Sequence, residues 1–254
     1  MAEQSLREVR LEKRRLLERE GKVIIPAFAI GRVEEVLYWI RELEETKRIP
    51  RVPVFVDSPM AIDALKLYAE RLHELDADIT TSAQAASTRS ARGERALCAF
   101  CTSRFETVAT AEQSKQVTAS RQPSIVISAS GMATGGRVLH HLKAALPNGR
   151  NTVLFVGYQA AGTRGAQLVG GARETKIHGE IVPVNARIER IDSMSAHADA
   201  DEIMRWLGHF KRAPARTFLV HGDDQPMAAL AARIRAERGW DVATPAWKAQ
   251  VTLG

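Results

Sequence analysis

The chain has 254 residues, 45% of them hydrophobic and 26% charged, a balance that excludes a disordered or fibrous chain and leaves room for one large or two modest domains. Its 36 Lys and Arg against 30 Asp and Glu give a formal charge of +6, which suits a polyanionic partner. No apolar run reaches the roughly 20 residues of a membrane span and the first residues lack the apolar core of a secretory signal, so no membrane partner is expected.

In chain order, residues 3–20 set Leu6, Val9, Leu16 and Leu17 among charges and predict an N-terminal helix over residues 1–21. The run Lys22-Val-Ile-Ile predicts a buried strand, followed by a loop over residues 26–31. A helix over residues 32–45 follows, with Val33, Val36, Leu37 and Ile40 on one face. The same unit recurs as a strand at 52–56, a turn at Asp57-Ser58-Pro59 and a helix from Ala61. It recurs again as a strand at 125–128, a small-residue loop and a helix from about Gly136. Successive strand–loop–helix units predict an α/β fold with a parallel sheet, whose working loops lie beyond the carboxyl ends of the strands. Residues 80–96, rich in Ser, Thr, Ala and Arg, predict an irregular connection. Cys98 and Cys101, with neither a second pair nor a nearby histidine, read as two free thiols in a reducing, cytoplasmic setting.

Downstream, "NTVLFVGY" predicts a strand and residues 175–191 a hairpin turning at Gly179. A helix around 201–210, a buried strand "RTFLVHG", a helix over 227–238 and a final strand or loop complete the chain.

Four stretches could carry chemistry. The loop "SASGMATGG" (residues 128–136) lies between strand and helix, where its hydroxyls and backbone amides could cradle an anion. It is neither a Walker loop nor a dinucleotide fingerprint, because Gly131, Gly135 and Gly136 have the wrong spacing. "YQAAGTRGAQLVGGA" (158–172) is a second small-residue loop after a strand. His197 and Asp199 read either as a capped helix start, with Glu202 completing the box, or as a general acid and its orienting carboxylate. His221, at the end of a predicted strand and before Gly222-Asp223-Asp224, is placed for a metal ligand or a turn. Of His140 and His141, on the helix after the glycine loop, one is expected to face out.

Six motifs in order, "GKVIIPAFAIGRVEEVL", "VPVFVDSPMAIDA", "ISASGMATGGRVLHHL", "NTVLFVGYQAAGTRGAQL", "MSAHADADEI" and "FLVHGDD", resemble the β-CASP ribonucleases of the metallo-β-lactamase superfamily, the RNA-processing exonuclease branch above all. The resemblance runs from about Lys22 to Leu253. It implies a parallel-sheet β-CASP domain over residues 22–191, followed at 192–254 by the C-terminal part of a metallo-β-lactamase αββα sandwich. It implies RNA as partner, zinc as cofactor and phosphodiester hydrolysis by zinc-activated water. It assigns His197 as general acid, His221 as a zinc ligand, and the loop carrying Ser128, Ser130, Gly131 and Met132 to the RNA-phosphate groove. Gly135, Gly136, Gly162 and Thr163 are expected to join that groove.

The departures shape the expectation. The family's His-x-His-x-Asp-His cluster occurs nowhere in the chain, Asp223 stands where Glu is usual, and Arg164 stands where an apolar residue is common. A catalytic zinc takes about three protein ligands, so the chain alone is expected to be inactive, its zinc-cluster half coming from a separate chain. A non-catalytic RNA-binding module and a truncated gene fragment are the alternatives. The apolar faces at residues 203–210 and 218–220 would lack their family partners, which predicts association, a homo-oligomer included.

Overall fold

In a computed structural model of the chain, the described residues are 21–74, 100–192, 194 and 197–252. The expected N-terminal helix, the segment 80–96 and Cys98 lie outside them; Cys101 is half-buried. The chain forms two compact units, Met1–Met194 and Ser195–Gly254.

The first unit runs β1 (Lys22–Pro26), α1 (Arg32–Glu45), β2 (Val54–Val56), α2 (Pro59–Glu70), β3 (Phe105–Thr107), α3 (Ala111–Ala119), β4 (Ser124–Ser128) and α4 (Val138–Ala145). It continues through β5 (Thr152–Val156), α5 (Arg164–Val169), β6 (Glu174–Ile177), β7 (Glu180–Pro183) and β8 (Arg187–Ile191). Six strands make one sheet in the order β3-β2-β4-β1-β5-β8, with every pairing parallel. Helical crossovers then have to cover both faces. Alternate side chains accordingly enter two cores. Val23, Ile25, Val54, Val56, Ile125, Ile127, Leu154 and Val156 pack with α1 and α2. Ile24, Val126, Val153 and Phe155 pack with α4, with Val117 of α3 and with Leu168 of α5.

The predicted α/β fold with a parallel sheet is the fold observed. Two boundaries move for local reasons. Pro53 has no N–H to give a ladder, and β2 starts at Val54. The α2 helix starts two residues earlier than expected, because Pro59 suits its first turn and Ser58 Oγ accepts the Ala61 N–H at 3.3 Å. Residues 174–183 form the expected hairpin, β6 against β7, but residues 187–191 leave it and pair with β5 as an edge of the main sheet. The sequence reading assigned neither β3 nor α3. β3 is a mostly exposed edge strand, and α3 buries only Ser114 and Val117 behind a Thr110–Gln113 capping box, so neither has an apolar period to read.

The second unit holds α6 (Ala200–Leu207), β9 (Thr217–Phe218), α7 (Asp224–Arg238) and β10 (Val242–Ala243). Its small core gathers Met204, Leu207, Ala231, Ile234, Trp240 and Val242. The strand expected across "RTFLVHG" shrinks to Thr217 and Phe218, half-buried and paired in parallel with β10. A two-stranded sheet cannot enclose both its faces, and Val220 stands 66% exposed.

Candidate nucleic-acid interface

The carboxyl ends of β4, β1 and β5 are neighbours in the sheet, and the loops that leave them interlock. Ala27 N–H donates to Ser128 O at 3.1 Å. A Cβ on Gly131 would stand 3.0 Å from Phe28 N, so glycine there lets the two loops touch backbone to backbone. Gln159 Nε2 donates to Gly131 O at 3.2 Å and to Tyr158 O at 3.1 Å. Gly165 N–H donates to Met132 O at 3.0 Å. Arg164 Nη1 donates to Ala133 O while its Nη2 reaches Lys176 O at 2.8 Å. The arginine at the family's usually apolar position thus ties the glycine loop to the end of β6.

Within this frame the expected groove residues divide. Ser128 is fully buried and its Oγ donates to Asp57 O at 2.7 Å, so its hydroxyl positions the loop from beneath and does not reach its surface. Gly131 is buried as well. Thr163 Oγ accepts the Ala166 N–H at 3.2 Å and donates to Ala160 O at 2.6 Å, capping α5, and Gly162 turns the chain before it at φ +80. Ser130 Oγ lies 3.1 Å from Thr134 Oγ1 and accepts the Thr134 N–H at 3.2 Å. Among the described residues no acceptor takes the N–H groups of Met132, Gly135 or Gly136. These amides, beside two hydroxyls and ahead of α4, form a donor-rich concavity of the kind that accepts an anion.

Beneath the loop lies a polar cluster that the sequence reading passed over, having taken Asp57 as part of a turn. Asp57 is fully buried at the end of β2. Its carboxylate accepts from Arg137 Nη1 at 2.8 Å, His141 Nε2 at 2.6 Å and Ser114 Oγ at 2.5 Å. A carboxylate only accepts, so Nε2 is a protonated nitrogen of the His141 ring; Nδ1 lies 3.0 Å from Thr118 Oγ1. Burial pushes the Asp57 carboxyl up, but the hydrogen bonds from His141, Ser114 and Arg137 outweigh it and hold the group below the usual aspartate range. Arg137 also donates to Val108 O and Ala109 O, both at 3.0 Å. The cluster therefore fastens the start of α4, and with it the glycine loop, to β2 and α3. His140 is the outward member of the histidine pair and lies 4.5 Å, ring to ring, from His178.

At the opposite edge of the sheet a cleft of about 370 Å³ is lined by Lys22, Arg121, Asn148 and Arg150. Its buried cation is already engaged, because Lys22 Nζ donates to Val117 O at 2.5 Å and Thr118 O at 3.0 Å, at the carboxyl end of α3.

In the second unit, Asp199 caps α6. Its Oδ1 accepts the Glu202 N–H at 2.8 Å, and Glu202 Oε2 accepts the Asp199 N–H at 2.9 Å, the full capping box. His197 is exposed two residues before it. His221, exposed at φ +65, stands three residues beyond β9 and two before Asp223, the N-cap of α7. Among the described residues no group of three or more His, Cys, Asp or Glu side chains is placed to hold a metal ion. His221 by itself does not make a zinc site.

Comparison with known proteins fits this geometry. Residues 33–168 match the Beta-Casp domain and residues 181–245 the Zn-dependent metallo-hydrolase RNA specificity domain. The chain is 35% identical over 226 residues to "Ribonuclease TTHA0252" of Thermus thermophilus, which spans 89% of this chain and 48% of that protein. It is 32% identical over 234 residues to "Transcription termination factor FttA" of Pyrococcus abyssi, spanning 90% of this chain and 34% of that protein. The chain thus spans about half the length, or less, of these curated relatives. Zinc is the metal named for the matched family, and no helix among the described residues is long and apolar enough to cross a membrane. A parallel-sheet domain with a braced glycine loop, followed by an RNA-specificity segment, places the chain in the β-CASP metallo-β-lactamase family of RNA-processing ribonucleases.

Proposed function

We propose that this chain is the RNA-gripping part of a zinc-dependent RNA-processing nuclease of the cytoplasm, and that by itself it binds RNA without cleaving it. The observation that carries the reading is the glycine loop. Its unpaired N–H groups at Met132, Gly135 and Gly136 and its hydroxyls at Ser130 and Thr134 are held rigid by Gln159, Arg164 and the Asp57 cluster. In this reading these donors, with the turn at Gly162 and Thr163, hold the phosphates. Ser128 and Gly131 set the loop's shape. His197 supplies the proton to the leaving oxygen, Asp199 fixes its loop, and His221 contributes one ligand to a zinc centre whose other ligands come from the cluster these 254 residues lack. The relatives' names, ribonuclease and transcription termination factor, agree with RNA as substrate.

The test is a binding titration of purified chain with single-stranded RNA over a salt series. Affinity is expected to fall linearly in log K against log salt, the mark of phosphate contacts, with the RNA intact after incubation in added zinc. No binding at low salt overturns the RNA reading. Hydrolysis in zinc that disappears in His221→Ala overturns the claim that the chain alone is inactive.

Trp206, Phe210, Val220 and Trp247 of the second unit are 62%, 47%, 66% and 90% exposed, more apolar surface than so small a unit leaves bare without a use. In our reading this surface is covered by the zinc-bearing half or, without it, by a second copy of the chain. Sedimentation velocity is expected to show a concentration-dependent dimer or larger species that Trp206→Ser shifts towards monomer. A monomer at all concentrations removes the proposal of self-association.

A further inference from the structure

We propose that Phe28 and Tyr158 are stacking platforms for the bases of single-stranded RNA laid across the carboxyl edge of the sheet; this rests on the RNA reading above and names how the strand is held.

Six large apolar side chains are exposed among the described residues of the first unit, and four of them, Phe28, Ile30, Met60 and Tyr158, stand at this one edge. They sit on the segments that follow β1, β2 and β5. With β4, these are four consecutive strands of the sheet, spaced about 4.8 Å apart. The two rings each lie two residues past a strand end, after Pro26 and after Val156, on adjacent strands. Exposed rings on mobile loops would pay an ordering cost on binding, but these are anchored at the backbone. Gly131 packs against Phe28, with Phe28 Cδ2 3.1 Å from where a Cβ would stand, and the Gln159 amide holds Tyr158 O and Gly131 O together. The rings remain 45% and 57% exposed over a fixed base.

The composition of the edge selects the occupant. The hydroxyls of Ser130 and Thr134 and the unpaired N–H groups of Met132, Gly135 and Gly136 lie on the segment that follows β4, beside the segments after β1 and β5 that carry the two rings. A chain that offers a flat π face and a phosphate in each repeat matches that pairing of exposed rings with anion donors, and single-stranded RNA is such a chain. Duplex RNA hides its base faces in its own stack and offers nothing to the rings.

The experiment is fluorescence anisotropy with a short unstructured oligoribonucleotide, intact and with abasic sites, on the full chain. Phe28→Ala and Tyr158→Ala are each expected to weaken binding of intact RNA by about 5- to 100-fold, with the salt slope unchanged because no phosphate contact is lost. Phe28→Leu, which keeps apolar bulk without the ring, is expected to bind as weakly as Phe28→Ala, while Phe28→Tyr and Tyr158→Phe bind like the unaltered chain. Abasic RNA is expected to bind the unaltered chain more weakly, and the preference for intact over abasic RNA is expected to shrink in each alanine variant and to vanish in the double variant. Salt-dependent binding that is the same in the alanine variants overturns the inference and leaves the RNA reading standing. So does a loss equally large on intact and abasic RNA, which marks a structural effect. Absence of any RNA binding by the unaltered chain removes the RNA reading, and this inference with it.

Discussion

Asp57→Ala is expected to destabilise the first unit by about 3–5 kcal/mol, the cost of removing one partner from a buried ionic cluster. The side chain is fully buried and makes three charge-assisted or hydroxyl hydrogen bonds. Without it, the Nε2–H of His141, on a side chain only 1% exposed, has lost its acceptor and the Arg137 guanidinium its counter-charge. The loss is read as the shift in a urea unfolding curve at neutral pH; a shift below about 1 kcal/mol, the ordinary size for a single surface change, would contradict the bracing role. The cluster also sets an acid limb. The Asp57 carboxyl titrates lower in the folded chain than the roughly 3.9 of an unfolded aspartate. Its contribution is therefore complete above about pH 4 and drains away as the pH falls from there through the lower folded value. Asp57→Asn has no such carboxyl, so its stability is expected to fall less steeply below about pH 4 than that of the unaltered chain. Parallel acid limbs would show that other carboxylates govern acid unfolding.

Gly136→Ala is expected to weaken single-stranded RNA binding by about tenfold or more and to cost about 2 kcal/mol or more of stability. Gly136 has φ +76, where any L side chain is strained by roughly 1–2 kcal/mol. The added Cβ would also stand 2.6 Å from Ala129 O. That oxygen is backbone and cannot swing aside, and it already accepts the Val138 N–H at 3.3 Å as α4 begins. Relief of the clash moves the loop or the first turn of α4, and either displaces the unpaired amides. Gly135→Ala is the matched control. Its φ is not in the left-handed region and nothing lies within 4 Å of the new methyl, so stability is expected to change by less than about 0.5 kcal/mol. Equal effects of the two substitutions on unfolding and on RNA affinity would mean that the loop tolerates a shift and that its shape does not set binding.

The physical reach of sequence patterning explains what could be read in advance. Strands buried on both faces are nearly continuous in apolar residues, and β1, β4 and β5 stood out as short apolar runs. The α1 helix appeared between its observed ends because four apolar side chains, Val33, Val36, Leu37 and Ile40, recur on one face. The loop at residues 128–136 was legible as a loop because its glycines and hydroxyls break the apolar pattern between a strand and a helix. His197, Asp199 and His221 stand out in the sequence only through their motifs, and of the two readings of Asp199 the helix cap is the one seen in the fold. β3 and α3 were not, since an edge strand and a thinly buried helix carry no period.

Local pattern, then, determined the parallel α/β class, the order of its elements and the position of the glycine loops, because each depends on residues within a few places of one another. Tertiary structure decided the rest. The Asp57 cluster draws on residues 57, 80 and 84 positions away in sequence, Ser114, Arg137 and His141. The buried place of Ser128, the outward place of Phe28 and Tyr158, and the freedom of three amides follow from which strands became neighbours. Parallel pairing brings together ends that are remote along the chain, so a carboxylate that looks like an ordinary turn residue becomes, in the fold, the brace under the loop.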